Sequence, residues 1–512
     1  MESYKVAQQS GKKPDDAAGL KEWLGLSVLA VTTLLLALDF SVLHLALPQL
    51  AADLQPSGTQ QLWILDIYGF MIAGFLITMG TLGDRIGRRK LLLMGAFAFG
   101  LCSIAAAFSV NAEMLIVTRA LLGIAGATLM PSTLSLISNM FRQPSQRGIA
   151  IAVWLSCFSA GGAVGPLIGG LMLERFWWGS VFLLGVPVMV VLLATAPFLL
   201  PEFRSTNAGK LDLPGAALSM LSVLSVIYGL KEWASRGPSA VSLLAITAGL
   251  GAGWLFIRRQ RSAREPLLDL RFFRNRNFNG ALIGLFITVF TLGGFVLFFA
   301  QYLQLVAGMT PLAAGLWMIP YAAANIAGAM ATPYLANKMR VSSLITGGLF
   351  LAIIGFGMII LAVWGSMPGL EMMVLGSVVI MLGFSPLMVL STDLVVASVP
   401  PERTASASSL SEMSSELGMA LGIAVLGTVG TSVYRRVAAE RLPEGLTPES
   451  KLAIIDSLAS ATSVAESFPD PSVLEVARDA FANGIQVAGG VSAALLLGLA
   501  VLYLTVWRDA RR

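Results

Sequence analysis

Gly161-Gly162-Ala163-Val164-Gly165-Pro166-Leu167-Ile168-Gly169-Gly170 lies inside an apolar run, residues 148–171, of the length that crosses a bilayer. Five glycines and a proline in the middle of a hydrophobic helix serve no purpose in a water-soluble core. In a membrane they do. Small residues three and four apart let a neighbouring helix reach backbone contact, and packing absorbs the bend at a proline. Composition points the same way: 56% of the 512 residues are hydrophobic, 12% are charged, and the mean hydropathy is +0.78. A soluble domain carries about 25% charged residues, so this chain has too few to coat a surface facing water.

Two cysteines, Cys102 and Cys157, and a single histidine, His44, exclude a disulfide framework and a His/Cys metal centre. They also leave no nucleophile–base dyad, which argues against an enzyme. No phosphate-cradling glycine loop of the ATPase type occurs, so the energy source is an ion gradient and no cofactor is expected. Apolar segments fall at 24–47, 62–82, 91–109, 113–138, 148–171, 179–200, 213–231, 239–257, 279–306, 312–335, 343–364, 369–396, 406–432 and 484–506, which predicts fourteen spans. With the N-terminus inside, about 25 of the basic residues gather on one side and about 8 on the other, the asymmetry expected of cytoplasmic loops. An even span count then puts both termini in the cytoplasm. The positive charge is a record of orientation, and a nucleic-acid partner is not expected.

The chain divides into a cytoplasmic tail (1–23), a first six-helix bundle (24–200), a linker with two added helices (201–278), a second six-helix bundle (279–506) and a short tail (507–512). The first span contains Asp39 and exceeds the apolar core of a signal peptide. The second bundle includes an external loop, 433–483. In it Thr447-Pro448-Glu449 has the form of a helix start, and Phe468-Pro469-Asp470-Pro471 ends the helical pattern. Two short helices are expected there. The connector 258–277 reads as an amphipathic loop that joins the halves at the membrane surface, through Leu267, Leu268, Leu270, Phe272 and Phe273.

Between spans 2 and 3 lies Gly80-Thr81-Leu82-Gly83-Asp84-Arg85-Ile86-Gly87-Arg88-Arg89-Lys90. It resembles the signature loop of the major facilitator superfamily at every defining position. The resemblance implies a fold of two six-helix bundles, here with two inserted helices. It also implies a conformational switch made by Gly80, Asp84, Arg85, Gly87 and Arg88, in which Asp84 caps a helix of the opposite half and the arginines complete a charge relay. A carboxylate at the positive end of a helix dipole is physically favourable.

Arg119, in Leu115-Ile116-Val117-Thr118-Arg119, resembles the span-4 arginine that the family links to proton coupling. Gly161, Gly165, Pro166, Gly169 and Gly170 resemble its antiporter motif. Leu38-Asp39-Phe40-Ser41 through Pro48, with Trp63, Asp66 and Tyr68, is similar to the fourteen-helix drug–proton antiporters that export quaternary ammonium compounds and dyes.

Charged groups inside hydrocarbon are costly, so each intramembrane carboxylate is a functional candidate: Asp39, Asp66, Glu412, Glu416 and Asp393. A buried carboxyl holds a proton or a cation in competition, the simplest antiport device. Asp39 reads either as that group or as an interhelical anchor, and His44 as a packing residue. Glu412 and Glu416, four apart, share one helix face. Some relatives carry an acid in span 10 where this chain has Asn325, a departure that bears on dicationic substrates. Trp154, Phe158, Trp317, Met318, Tyr321 and Phe384 supply candidate cavity walls, since ring faces hold cations and methionine adapts to many shapes.

The resemblance implies proton-coupled export of lipophilic cations (quaternary ammonium compounds, cationic dyes, biguanide antiseptics) by a monomer in a bacterial inner membrane. The alternative is a dedicated exporter of an endogenous metabolite or lipid on the same scaffold.

Overall fold

The computed structural model describes residues 18–56, 58–204, 212–237, 239–262, 267–268, 270–309, 311–363, 369–400, 404–443, 446–458, 461–462, 464 and 472–505. Among them there is no strand. The first bundle comprises α1 (Leu20–Leu54), α2 (Gly58–Ile86), α3 (Arg88–Ala107), α4 (Ala112–Met140), α5 (Pro144–Arg175) and α6, a span over Ser180–Leu199 with an irregular turn at Leu184. The inserted pair is α7 (Leu213–Arg236) and α8 (Ala240–Ser262). The second bundle comprises α9 (Arg276–Gln301, continued by a wide turn over Tyr302–Val306), α10 (Pro311–Trp317), α11 (Ile319–Ala336), α12 (Val341–Val363), α13 (Gly369–Ala397), α14 (Thr404–Arg441), α15 (Pro448–Asp456) and α16 (Ser472–Thr505).

Helix thus occupies every segment expected to cross, but not every one as a simple span. Among the described residues twelve helices are each long and apolar enough alone, and α5, bent by 43° between Pro144–Gly162 and Leu167–Arg175, raises the number to thirteen. The remaining segment, expected at 312–335, is broken at Met318 into α10 and α11. Pro320 in the first turn of α11 has no backbone donor to carry a helix through, and Asn325, Pro333 and two tyrosines make α11 the least apolar of the set.

The external loop is shorter than expected. Helix α14 runs on to Arg441 and α16 begins at Ser472, because no glycine or proline interrupts Thr431–Arg441 or Ser472–Asn483. The apolar pattern fades where the helices leave the bilayer, while the helices continue. Thr447 caps α15 as expected, its side chain accepting from the Ser450 N–H at 3.2 Å. The Tyr434 hydroxyl donates to the Ile454 carbonyl at 2.6 Å and seats α15 on α14. The stretch 468–471 falls outside the described residues.

The two bundles repeat one packing plan. α1 packs on α5, α2 on α4, and α3 on both α4 and α6; correspondingly α9 packs on α14, α11 on α13, and α12 on both α13 and α16. Glycine brings a corresponding helix pair in each half to close approach. A Cβ on Gly161 of α5 would lie 2.1 Å from the Leu34 carbonyl oxygen of α1, and one on Gly422 of α14 would lie 1.9 Å from the Phe290 carbonyl oxygen of α9. Backbone therefore meets backbone at both places, which only glycine permits. Gly169 continues the first seam against Val42, whereas Gly162 and Gly170 face open space.

The halves meet through α5 against α11 and α13, and through α14 against α2 and α4. The inserted pair leans on this junction, α7 touching both α2 and α14. Asp212 caps α7, accepting from the Gly215 N–H at 3.0 Å, and is bridged by Arg259 of α8 at 2.8 Å. The Arg259 hydrogen bonds hold the Asp212 carboxyl below the usual carboxylate range, so the bridge is fully charged at neutral pH.

Gly161→Ala is expected to lower the melting temperature of the detergent-purified protein, with a loss of about 1–3 kcal/mol from overpacking. Gly162→Ala, with nothing in its way, should leave it unchanged or raise it; equal effects of the two would remove the α1–α5 seam as the reason for the glycines.

Candidate functional site

The loop between α2 and α3 places its charged groups where the two halves close. We call this the basic end of the bundle. Asp84, in the last turn of α2, accepts through Oδ1 from the Arg88 guanidinium at 2.9 and 3.1 Å. Through Oδ2 it accepts from the Ser406 hydroxyl at 2.9 Å and the Ser406 N–H at 3.3 Å. Ser406 is in the first turn of α14, so a carboxylate of the first half occupies the positive end of a helix of the second.

Gly87 turns the chain with φ +110°, and a Cβ there would lie 2.6 Å from the Glu202 carboxylate. That carboxylate accepts from the Arg89 and Lys90 N–H groups, both at 3.1 Å, and so caps α3 from the segment just past the neighbouring α6. Gly80 is buried and Arg85 partly buried. Arg88 pairs with Asp84 within its own half, and among the described residues an ion pair across the halves joins Arg147 of α5 to Asp393 of α13, at 2.5 Å. Thr404, at the start of α14, adds hydrogen-bond contacts to Ser135 (3.0 Å) and Asn139 (3.2 Å) of α4. The basic end is closed.

Deeper in the first half, Arg119 of α4 and Asp39 of α1 form an ion pair of 2.7 Å, with side chains 1% and 11% exposed. The Arg119 Nε donates to the Ile64 carbonyl at 3.3 Å, and its guanidinium lies 4.5 Å from the Tyr68 ring centre and 5.8 Å from that of Phe182. Neither ion could stay in this position alone, since breaking a buried pair leaves an uncompensated charge costing about 3–5 kcal/mol. Asp39 thus ties α1 to α4 through Arg119.

Across the seam, Met413 and Leu417 of α14 pack on the first half, Leu417 beside Phe70 and Trp63. This turns the helix face carrying Glu416 toward Tyr68, Asp39 and Arg119. Glu416 lies within electrostatic reach of Tyr68 and of Glu412, one turn away on α14. Asp39, Arg119 and Glu416, from three helices, thus gather around Tyr68 at the meeting of the two bundles, with Glu412 one turn from Glu416. Asn325 of α11 is a second polar contact between the halves: its Nδ2 lies 2.6 Å from the Ser159 hydroxyl of α5, and its Oδ1 accepts from Ser385 of α13 at 3.3 Å.

The candidate walls separate on inspection. Phe158 and Tyr321 are partly exposed, the latter 6.0 Å from the Phe295 ring. Trp317 is 39% exposed beside the break at Met318. Phe384 is a correction. It has no exposed surface and packs on Phe356 inside the second bundle, so it lines no cavity in this conformation. Trp154 is likewise buried, its indole N–H donating to the Thr133 hydroxyl at 3.1 Å. Trp63 stacks on Tyr228 of the inserted α7, with ring centres 6.0 Å apart. The side chains of His44, Asp66 and Pro166 fall outside the described residues, as does the close environment of Gly165. Sequence reading missed Glu202, which looked like linker, and the pairing of Arg147 with Asp393, which loop and span charges of opposite sign could have suggested.

A model of the Major Facilitator Superfamily matches residues 29–423, and the chain belongs to that family. It is a multi-pass membrane transporter and not an enzyme. Over 491 residues it is 41% identical to the multidrug efflux pump LfrA of Mycolicibacterium smegmatis, spanning 95% of this chain and 97% of that protein. Over 508 residues it is 35% identical to the methyl viologen resistance protein SmvA of Salmonella typhimurium, spanning 96% and 100%. The human organic anion transporter MFSD10 (TETRAN) superposes with a TM-score of 0.58 over 96% of this chain and all of that one. At 16% identity this is a likeness of fold.

Asp84→Asn keeps the shape of the latch but removes its charge. Spin labels at Arg142 and Arg340, on opposite halves of the basic end, should report about a tenfold larger open population, the effect of losing about 1.4 kcal/mol at a helix N-terminus. An unchanged distance distribution would deny Asp84 this role.

Proposed function

We propose that the protein is a proton-coupled exporter of chemically diverse lipophilic cations, set in the bacterial inner membrane with its basic end in the cytoplasm. The observation that carries this reading is the buried Asp39–Arg119 pair beside Tyr68, with Glu416 of the other bundle within electrostatic reach of the same tyrosine and Glu412 one turn further along α14. The excess of basic residues at that end agrees with the positive-inside rule. The printed names of two relatives, a multidrug efflux pump and a methyl viologen resistance protein, agree with export of cations.

The chemistry follows from competition. Glu412 and Glu416, one turn apart and walled by apolar side chains, favour sharing a proton over carrying two negative charges. A lipophilic cation entering from the cytoplasm supplies the positive charge in the proton's place, and partly exposed rings such as Phe158 and Tyr321 hold its apolar body. Arg119 keeps Asp39 paired while the site is empty. A proton arriving from outside neutralises the carboxylates, the cation loses its counter-charge, and it leaves outward. The Asp84 latch holds the basic end shut during release, so the proton does not run through. No cofactor enters the cycle; the proton gradient drives it, and the monomer suffices.

The test is transport by protein in liposomes under an imposed pH gradient, with ethidium as the cation. Gradient-driven ethidium movement is expected in the wild type and about 100-fold slower movement in Glu412→Gln, the change that loss of one strong charge interaction brings. Asp39→Asn should also uncouple transport. No ethidium movement by the folded wild type under a verified gradient would overturn the reading.

Asn325 brings a prediction on charge selectivity. With an amide there, dicationic methyl viologen should be carried less well than ethidium. Asn325→Asp should raise the viologen rate relative to ethidium by about tenfold, one added charge interaction being about 1.4 kcal/mol in a partly wet site. An unchanged ratio would show that Asn325 does not set charge preference.

A further inference from the structure

The inserted helices carry a second feature, remote from the buried carboxylates. At the basic end of α7 and α8 an open cleft of about 500 Å³ is lined by Leu218, Leu255, Arg258, Arg259 and Ser262. The four α8 positions are spaced at three, four and seven residues, so they form one continuous helix stripe. The stripe is amphipathic along its length. Towards the bilayer it continues into exposed Leu250 (62%), Trp254 (60%) and Leu255 (45%), opposite Leu221 (54%) of α7. At the other end it carries Arg258, Arg259 and, two residues on, Arg261.

The arginines are not equivalent. Arg259 is fixed by Asp212, which takes its Nε and Nη2 hydrogen bonds. Among the described residues no carboxylate pairs with Arg258 or Arg261. Three arginines against one aspartate leave two positive charges at the mouth of an apolar cleft. The Arg258 guanidinium lies 5.5 Å from the Trp254 ring centre, which steadies its long stem and leaves its edge N–H donors available. The Ser262 hydroxyl adds a further polar group to the rim.

An arginine that merely reaches for water needs no cleft beneath it. Here fixed guanidinium groups stand beside apolar walls that run into the lipid face, which is the complement of a phosphate carrying acyl chains. We propose that this cleft binds the phosphodiester headgroup of an anionic phospholipid from the leaflet at the basic end. Its phosphate meets Arg258 and the open side of Arg259, and its chains lie along Leu255, Leu250 and Leu221. Arginine is suited to this because its planar fork makes paired hydrogen bonds to phosphate oxygens. The site depends only on the membrane placement of α7 and α8, not on what the protein transports.

The test takes the full-length protein from nanodiscs of phosphatidylcholine and phosphatidylglycerol in equal parts. Lipid retained through a detergent wash is counted by native mass spectrometry. The wild type should retain phosphatidylglycerol in preference to phosphatidylcholine. The preference should fall about tenfold in Arg258→Gln/Arg259→Gln, two charge-assisted contacts being lost. Arg258→Gln alone leaves the Asp212–Arg259 bridge standing and so keeps the fold; it should lower the preference several-fold. Arg340→Gln, an exposed arginine elsewhere on the basic end, should not change it. Undiminished preference in Arg258→Gln overturns the proposal. So does an equal loss in Arg340→Gln, which would mean diffuse attraction to the whole face. Displacement of the lipid by soluble glycerol phosphate at matched concentration would make the site one for a free anion and overturn it as well.

Discussion

Asp84 satisfies demands from both halves of the molecule at once, and the closed state depends on it. A carboxylate so deeply placed is tolerable only with its lone pairs filled. Arg88 fills one side from within the first bundle, and the first turn of α14 fills the other. The second set is lost when the halves part, whereas the first travels with Asp84. One side of the carboxylate is therefore a permanent anchor and the other a removable contact, which is what a two-state element requires. The neighbouring geometry supports that division. Gly87 admits the Glu202 carboxylate that caps α3, and this stiffens the loop from which Asp84 and Arg88 project.

The repeat in packing explains how such a switch moves as a unit. The glycine seams of α1 with α5 and of α9 with α14 lock each bundle internally at backbone contact. The contacts between bundles are a smaller apolar packing, such as Met413 on the first half, pinned by separate polar groups that include Asp84 with Ser406, Arg147 with Asp393, and Asn325 with Ser159. Strong seams within and sparse bonds between favour rocking of whole bundles over deformation of either.

Much of this was legible before any coordinates, because membrane helices leave long apolar records and the loop 80–90 has a distinctive spacing. Asp84, Thr447 and the glycines of α5 were readable for that reason. Partner choice was not. Asp39 and Arg119 lie 80 residues apart, and nothing in either segment names the other, although two lone charges in hydrocarbon invite pairing. Aromatic residues were the least readable. Phe384, Trp154 and Phe158 share the same apolar grammar, yet the first two are core and only the third is partly exposed, since a sequence shows which residues are apolar but not which face is hollow. The extensions of α14 and α16 beyond the bilayer escaped because hydropathy measures the solvent and not the helix.

The added helices are joined to the switch through an unbroken set of hydrogen bonds. Gln260 of α8 accepts from the Leu267 N–H at 2.6 Å, and the Leu267 carbonyl accepts from the Thr81 hydroxyl at 3.2 Å, one turn before Asp84. Leu267 itself is fully buried among Ile77, Phe278, Val395 and Ala407, from both halves. The insertion is thus no loose appendage. Excising it would empty an apolar socket between the halves and leave the Thr81 hydroxyl only its bond to the Ile77 carbonyl within α2, so the two added helices are part of the packing on which the gate closes.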